Sequence, residues 1–339
     1  KENKVFINFT GEGVFGKVAK CRDLMTKESV AVKIHKQSTT DGTVEWEVDM
    51  LKKVRALDPE KTNIVRFIDH FISEDYSCIA FEMLEMSLWD LVRRRQQPLS
   101  LHEIRPVTHQ LLGAFEALKK IGIIHADLKP DNVMLVSLRH QPYKIKLIDF
   151  GLAVPSNKVR VGATMQAESY RAPEVTLGLP LSEAVDMWGV GCVMAFLYFG
   201  TNLFPNGCPY HRIKTMVQLV GLPAKHHMLY GVSTTVYFSW GSQVGWRLRT
   251  PAEYEAVTGE KPEVRERFFD SFKNLMDAVK RCPPKTDDVE YKDRREFFYL
   301  LKSCLNPNPE LRITPREALS HNFVTMAHLR DDLAANSLM

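Results

Sequence analysis

The sequence predicts an α+β chain in two parts, a small β-rich portion over residues 1–84 and a larger, mainly helical portion over residues 85–339, meeting near residues 83–87. Three observations carry this expectation. Before Leu84, short runs of β-branched and aromatic residues alternate with turn residues, the pattern of an antiparallel sheet. After it, apolar residues recur every three to four positions, the pattern of amphipathic helices. A chain of 339 residues is also long enough to bury two sizeable cores.

Taken in order, residues 5–9 read as a strand leading into a glycine cluster at Gly11, Gly13 and Gly16. Residues 18–21 read as its hairpin partner, and residues 30–34 as a third strand. A helix is expected over residues 43–57, where Val44, Val48, Leu51, Val54 and Leu57 keep helical spacing and Asp58-Pro59 ends it. Strands follow at 64–71 and 78–82. Residues 101–121 carry an apolar stripe of Ile104, Val107, Leu111, Leu112, Phe115 and Leu118, closed by Gly122. Two short strands, 133–136 and 145–148, flank a turn at Tyr143, and residues 186–199 are apolar enough for a buried helix. The stretch 223–292 is charged and turn-rich with no clear period; helices return at 294–305 and 315–319.

Composition narrows the function classes. With 45 Lys+Arg against 41 Asp+Glu, the net charge of +4 gives no case for direct nucleic-acid or membrane binding. The longest apolar run, 190–199, is too short to span a bilayer. Six cysteines without a C-x-x-C pair read as reduced thiols of an intracellular protein. The start, Lys1-Glu2-Asn3-Lys4, does not read as a signal peptide, and the lack of an initiating Met suggests a segment of a longer chain. His226-His227 and the other histidines lack ligand spacing, so no zinc site is expected. Arg93-Arg94-Arg95 reads as a solvated helix face.

The chemistry-bearing residues lie in the centre of the chain. His125-Ala126-Asp127-Leu128-Lys129-Pro130-Asp131-Asn132 is followed, 17 positions after Asn132, by Asp149-Phe150-Gly151. This places a carboxylate base, a lysine and an amide on one loop and a second carboxylate on a later turn. Those parts suffice to hold a metal-bound triphosphate and take a proton from an attacking hydroxyl. Asp127 is the candidate base, a role worth roughly two to four powers of ten in rate. Lys129 would neutralise charge on the phosphate in flight. Asn132 and Asp149 offer hard oxygen ligands suited to Mg²⁺.

The G-x-G-x-x-G at residues 11–16 is weak evidence alone. A strand rather than a helix follows Gly16, which favours a phosphate-approaching hairpin tip over a dinucleotide-binding turn. Lys33 sits within an apolar strand and would be costly to bury without an anion. Glu47 is the best candidate partner on the following helix, with Glu45 the alternative.

These motifs resemble the protein kinase signature set. The likeness covers almost the whole chain, continuing in Ala172-Pro173-Glu174, in Asp186-Met187-Trp188-Gly189 and in Arg312. It implies a two-lobed protein kinase fold and an ATP- and Mg²⁺-dependent serine/threonine kinase. The implied ATP site comprises Thr10, Gly11, Glu12, Gly13, Val14, Phe15, Gly16, Val18, Ala31, Lys33 and Ile148. Glu82 and Leu84 would supply hinge backbone, Phe81 the gatekeeper and Met134 the adenine floor. The resemblance also implies an Arg312–Glu174 ion pair, an Asp186 anchor for the catalytic loop, and a spine of Leu51, Phe67, His125 and Phe150.

His125-Ala126-Asp127, Tyr170-Arg171-Ala172-Pro173-Glu174, the stretch 223–292 and Trp246-Arg247-Leu248 are similar to the homeodomain-interacting protein kinases of the CMGC group. That resemblance implies a monomeric kinase domain, proline-directed phosphorylation of transcriptional regulators, and a nuclear location. Three positions depart from the family: Thr164 replaces an autophosphorylated tyrosine, Ala167 a serine bridging the catalytic Asp and Lys, and Glu168 a phosphate-gripping arginine. Arg171, a second phosphate-binding arginine, is kept. Two readings follow: a kinase active without the tyrosine switch, or a nucleotide-binding scaffold of weak activity.

Overall fold

Alternation along the amino-terminal strands decides which side chains face the later cleft. The computed structural model describes residues 4–13, 16–35, 42–263, 266–282 and 288–329. Strands β1 (Lys4–Gly13), β2 (Gly16–Asp23), β3 (Ser29–His35), β4 (Phe67–Ser73) and β5 (Tyr76–Glu82) form one antiparallel sheet in the order β1-β2-β3-β5-β4. Val30 and Val32 of β3 point into a small core with Ala19, Cys21, Cys78 and Ala80. The pleat therefore turns Ala31 and Lys33 to the opposite face. Cross-strand pairing sets Val18 beside Lys33 and Phe81 beside Ala31, so all four share that face.

Helix α1 (Thr43–Val54) buries Val44, Glu47, Val48, Leu51 and Val54 along one stripe. It ends at Val54, before the expected stop. Asp58 caps a separate turn, α2 (Pro59–Thr62), its carboxylate accepting from the Glu60 and Lys61 amides, so Asp58-Pro59 starts a helix rather than ending one. Ile64 lies outside β4 and makes an isolated parallel bridge to Leu147.

After β6 (Met86–Ser87) the fold is mainly helical. Helix α3 (Leu88–Arg95) carries Arg93-Arg94-Arg95 exposed in its last turn, with Arg95 bonded to Glu103 at 2.6 Å. Helix α4 (Leu101–Lys120) begins with a Ser100–Glu103 capping box and buries its whole predicted stripe. Strand β7 (Ile123–Ile124) leads into the loop 125–132, which is followed by the hairpin β8 (Val133–Ser137) and β9 (Gln141–Leu147). Tyr143 is not the turn. It lies within β9 at φ 58°, and the chain reverses between Ser137 and Gln141. Strand β10 (Val154–Pro155) pairs back onto β7.

The buried helix of the sequence reading is α6 (Ala184–Phe199), preceded by α5 (Pro173–Leu177) and followed by α7 (Pro209–Val220). A Cβ on Gly189 would stand 3.2 Å from Leu128 Cβ, so this glycine lets α6 pass close beneath the loop 125–132. The stretch without a clear period resolves into α8 (Lys225–Tyr230), α9 (Thr234–Tyr237), the hairpin β11 (Phe238–Gly241) and β12 (Gly245–Leu248), α10 (Pro251–Thr258) and α11 (Leu275–Arg281). Helices α12 (Asp288–Cys304), α13 (Pro315–Leu319) and α14 (Asn322–Thr325) close the fold. All six cysteines are free thiols. Among the described residues, no helix is long and apolar enough to cross a membrane.

Candidate active site

The strand lysine does find its anions. Lys33 Nζ lies 2.8 and 2.9 Å from the two carboxylate oxygens of Glu47 and 3.2 Å from Asp149 Oδ1. Glu47 is buried in the α1 face that meets the sheet, whereas Glu45 is exposed and takes no part in this cluster. Burial pulls the Lys33 pKa down, but the carboxylates of Asp149 and Glu47 outweigh it and the net shift is upward. For Asp149, burial pushes upward and the Lys33 ammonium prevails, leaving the carboxyl below its ordinary value. Burial dominates at Glu47, whose pKa is raised.

The loop 125–132 is fixed from beneath. Asp186 of α6 accepts the backbone amides of His125 at 2.8 Å and Ala126 at 2.9 Å. Complete burial pushes the Asp186 carboxyl up to about 6, against the pull of His125 and these two amides. The arrangement holds Ala126 in the left-handed region at φ 62°. Asp127 then receives Lys129 Nζ at 2.7 Å and Asn132 Nδ2 at 2.9 Å, both on Oδ2. His125 Nε2 meets the Ile148 carbonyl at 2.9 Å, and its ring stands edge-on to Phe150 with centroids 5.0 Å apart. Leu51, Phe67, His125 and Phe150 are all buried.

Between these clusters opens a cleft of about 350 Å³. Of the residues expected to bind a nucleotide, Thr10, Gly16, Val18, Ala31, Lys33, Phe81, Glu82, Leu84, Met134 and Ile148 line it. Gly16 is required there, because a Cβ would fall 2.0 Å from the Ile34 carbonyl oxygen. Gly11 is exposed on β1, and Glu12 and Gly13 pair with Lys17 and Gly16 at the hairpin end. Val14 and Phe15 lie outside the described residues. Val65 and Met83 also line the cleft, and the sequence reading missed both. It also missed His35, whose Nε2 stands 3.6 Å from Glu47 Oε2. Burial and the nearby Lys33 charge hold its imidazole down at about 4.

The protein kinase domain family matches residues 5–324 of this sequence. The chain belongs to the protein kinase family. It is 41% identical to homeodomain-interacting protein kinase 1 of Mus musculus over 96% of this chain and 28% of that protein. It is 41% identical to homeodomain-interacting protein kinase 2 of Mesocricetus auratus over the same shares, 96% and 28%. For homeodomain-interacting protein kinase 1 of Caenorhabditis elegans the identity is 38%, over 97% of this chain and 41% of that protein. The chain thus spans well under half the length of these relatives. The sheet and the helical part are the two lobes of a kinase.

Residues 164–172 are held by hydrogen bonds to the loop 125–132, to α5 and α6, and to Gly207. Gln166, at φ 66°, donates its backbone amide to the Ala126 carbonyl at 2.9 Å and its side-chain amide to the Val185 carbonyl at 2.8 Å, and accepts from the Ala172 amide at 2.9 Å. It thereby ties the loop 125–132 to α5 and α6, a role invisible in the motif. Arg171 donates to the carbonyls of Met165 (3.1 Å) and Gln166 (3.0 Å). Glu168 accepts the Gly207 amide at 2.6 Å and stands 3.6 Å from the buried Arg212. Thr164 is exposed. With Ala167 in place of serine, the Asp127–Lys129 contact is direct. Arg312 makes the ion pair implied by the family, 2.6 and 2.9 Å from the Glu174 oxygens.

Proposed function

We propose that this chain is an active kinase domain that transfers the γ-phosphate of ATP to serine or threonine hydroxyls. The observation that carries the reading is the assembled pair of clusters: Lys33 engaged by both Glu47 and Asp149, and Asp127 engaged by Lys129 and Asn132. Inactive kinase arrangements separate such groups.

In this reading Asp127 orients the substrate hydroxyl and takes its proton as the oxygen bonds to the γ-phosphorus. The bond from the γ-phosphorus to the bridging oxygen breaks, and the leaving ADP carries that charge. Lys129 neutralises the phosphoryl group in transit, and Lys33, held by Glu47, positions the remaining phosphates. Residues 10–13 and Gly16 cover the phosphates; Val18, Ala31, Met134 and Ile148 enclose the adenine; Glu82 and Leu84 offer it hinge backbone beside Phe81. Asn132 spends its amide nitrogen on Asp127, which leaves its side-chain oxygen for a cation, and the lowered pKa keeps Asp149 charged. These two hard oxygen donors suit Mg²⁺, which when bound neutralises triphosphate charge.

Selection of sites followed by proline rests on the likeness to the CMGC group. A nuclear location rests on the resemblance alone; substrates among transcriptional regulators rest on the relatives, whose names describe interaction with homeodomain proteins. The balanced charge favours contact with protein rather than directly with nucleic acid. Phosphate transfer to a Ser-Pro peptide, by wild type beside Asp127→Asn, tests the proposal. Incorporation that depends on Asp127 supports it. No such incorporation, while Mg-ATP still raises the melting temperature, identifies a nucleotide-binding scaffold instead.

A further inference from the structure

Away from the cleft, α8 and the loop before Arg312 bring together three side chains with metal-ligating chemistry. One ligating atom each from His226, His227 and Glu310 lies within 4.8 Å of the other two. The sequence hid this group, because Glu310 is far along the chain from the two histidines. Consecutive helix residues ordinarily diverge, yet these two imidazoles have centroids only 4.0 Å apart. Both turn toward one carboxylate: His226 Nε2 is 3.4 Å from Glu310 Oε2, and His227 Nε2 is 3.7 Å from Oε1.

Those separations carry the argument. They are longer than good hydrogen bonds. Ligands at about 2.0–2.1 Å around a tetrahedral zinc stand roughly 3.3–3.5 Å from one another. His227 is the fixed member of the group: its side chain is only 9% exposed and turns Nε2 toward Glu310.

We infer that His226, His227 and Glu310 bind one Zn²⁺. Two imidazole nitrogens and one carboxylate oxygen form a borderline donor set that suits this ion better than Mg²⁺ or Ca²⁺. His226 and Glu310 are exposed, at 49% and 67%, so a fourth position stays open to water or to a ligand from a partner. The site is a staple rather than a second catalytic centre. Glu310 lies two residues before Arg312, which grips Glu174 of α5. The turn between α8 and α9 reaches the same helix, where the Ser233 amide donates to the Leu177 carbonyl at 3.0 Å. Zinc would join α8 to the Arg312 loop and so clamp both sides of the segment that follows the activation loop.

The test titrates chelator-stripped protein with ZnCl₂ in saturating Mg-ATP, reading calorimetry and melting temperature. Wild type is compared with His226→Ala and Glu310→Gln, both at exposed positions. The inference expects one zinc per chain in wild type, a zinc-dependent rise in melting temperature, and affinity weakened at least about tenfold in each variant. Equal affinity in all three proteins, or zinc bound by none, overturns it and leaves a simple His–Glu contact. Neither readout depends on phosphate transfer.

Discussion

Removing the arginine of the Arg312–Glu174 pair should unfold the helical lobe far more readily than removing the glutamate. The two side chains are 0% and 1% exposed. Arg312→Met leaves a carboxylate in the interior whose only described donors were the two guanidinium nitrogens. Breaking a buried pair in this way costs about 3–5 kcal/mol. Glu174→Leu is milder, because Arg312 keeps the Ala184 carbonyl at 2.7 Å, the Asn306 carbonyl at 2.9 Å and the face of Trp188 at 5.2 Å. A loss of roughly 1–3 kcal/mol is expected there. The double variant should lie well above the sum of the singles, with a coupling of about 2 kcal/mol or more. Urea unfolding followed by tryptophan fluorescence measures all three. A loss under about 1 kcal/mol for Arg312→Met, or additive singles, would refute the reasoning, since either result means that Glu174 finds another donor or water.

Three further outcomes follow from the geometry. His35 titrates at about 4 instead of near 6.5, so between those values the unfolded chain binds a proton that the fold refuses. Stability should therefore fall by up to about 3 kcal/mol as pH drops through that window; His35→Gln should flatten the pH dependence of the melting temperature, and an unchanged slope would count against the assignment. Gly191→Ala puts a Cβ 2.8 Å from Leu305 Cγ and Cδ2, an overpacking expected to cost about 1–3 kcal/mol in denaturant midpoint analysis. Glu168→Arg removes the acceptor of the Gly207 amide and sets a third arginine beside Arg171 and Arg212; a loss of roughly 1–2 kcal/mol is expected after allowance for the exposure of Glu168, and a neutral result by thermal melting would show that its contacts are idle.

The sheet was legible because its strands alternate cleanly, and the same alternation put Val18, Ala31 and Lys33 on one face. Lys33 announced its need for an anion through its apolar neighbours, and helical spacing was enough to prefer Glu47 over Glu45. Other features depend on backbone conformation that no residue pattern declares. Gln166 matters because φ 66° turns its amide to Ala126, and Tyr143 stays in its strand at a positive φ. Val65 falls within the strand expected over 64–71 but precedes β4, which starts at Phe67, and Met83 follows the strand expected over 78–82, so neither is placed by a strand period. Elements between α8 and α11 are four to eight residues long, too short to show a period. They are held by distant contacts such as the Tyr210 hydroxyl to the Arg249 carbonyl at 2.8 Å. The departures at Thr164, Ala167 and Glu168 were visible as residues, but their consequence was not. The structure supplies Gly207 for Glu168 and a direct Lys129 contact for Asp127.

The proposed kinase activity, if it needs no phosphorylated activation segment, should survive removal of all phosphate from the chain. The most direct measurement is the rate of phosphate transfer from ATP to a Ser-Pro peptide by phosphatase-treated protein, beside Thr164→Ala and Asp127→Asn. Equal rates are expected for the treated wild type and Thr164→Ala, and a fall of roughly two to four powers of ten for Asp127→Asn. A treated wild type as slow as Asp127→Asn, with activity returning only on phosphorylation, would contradict it.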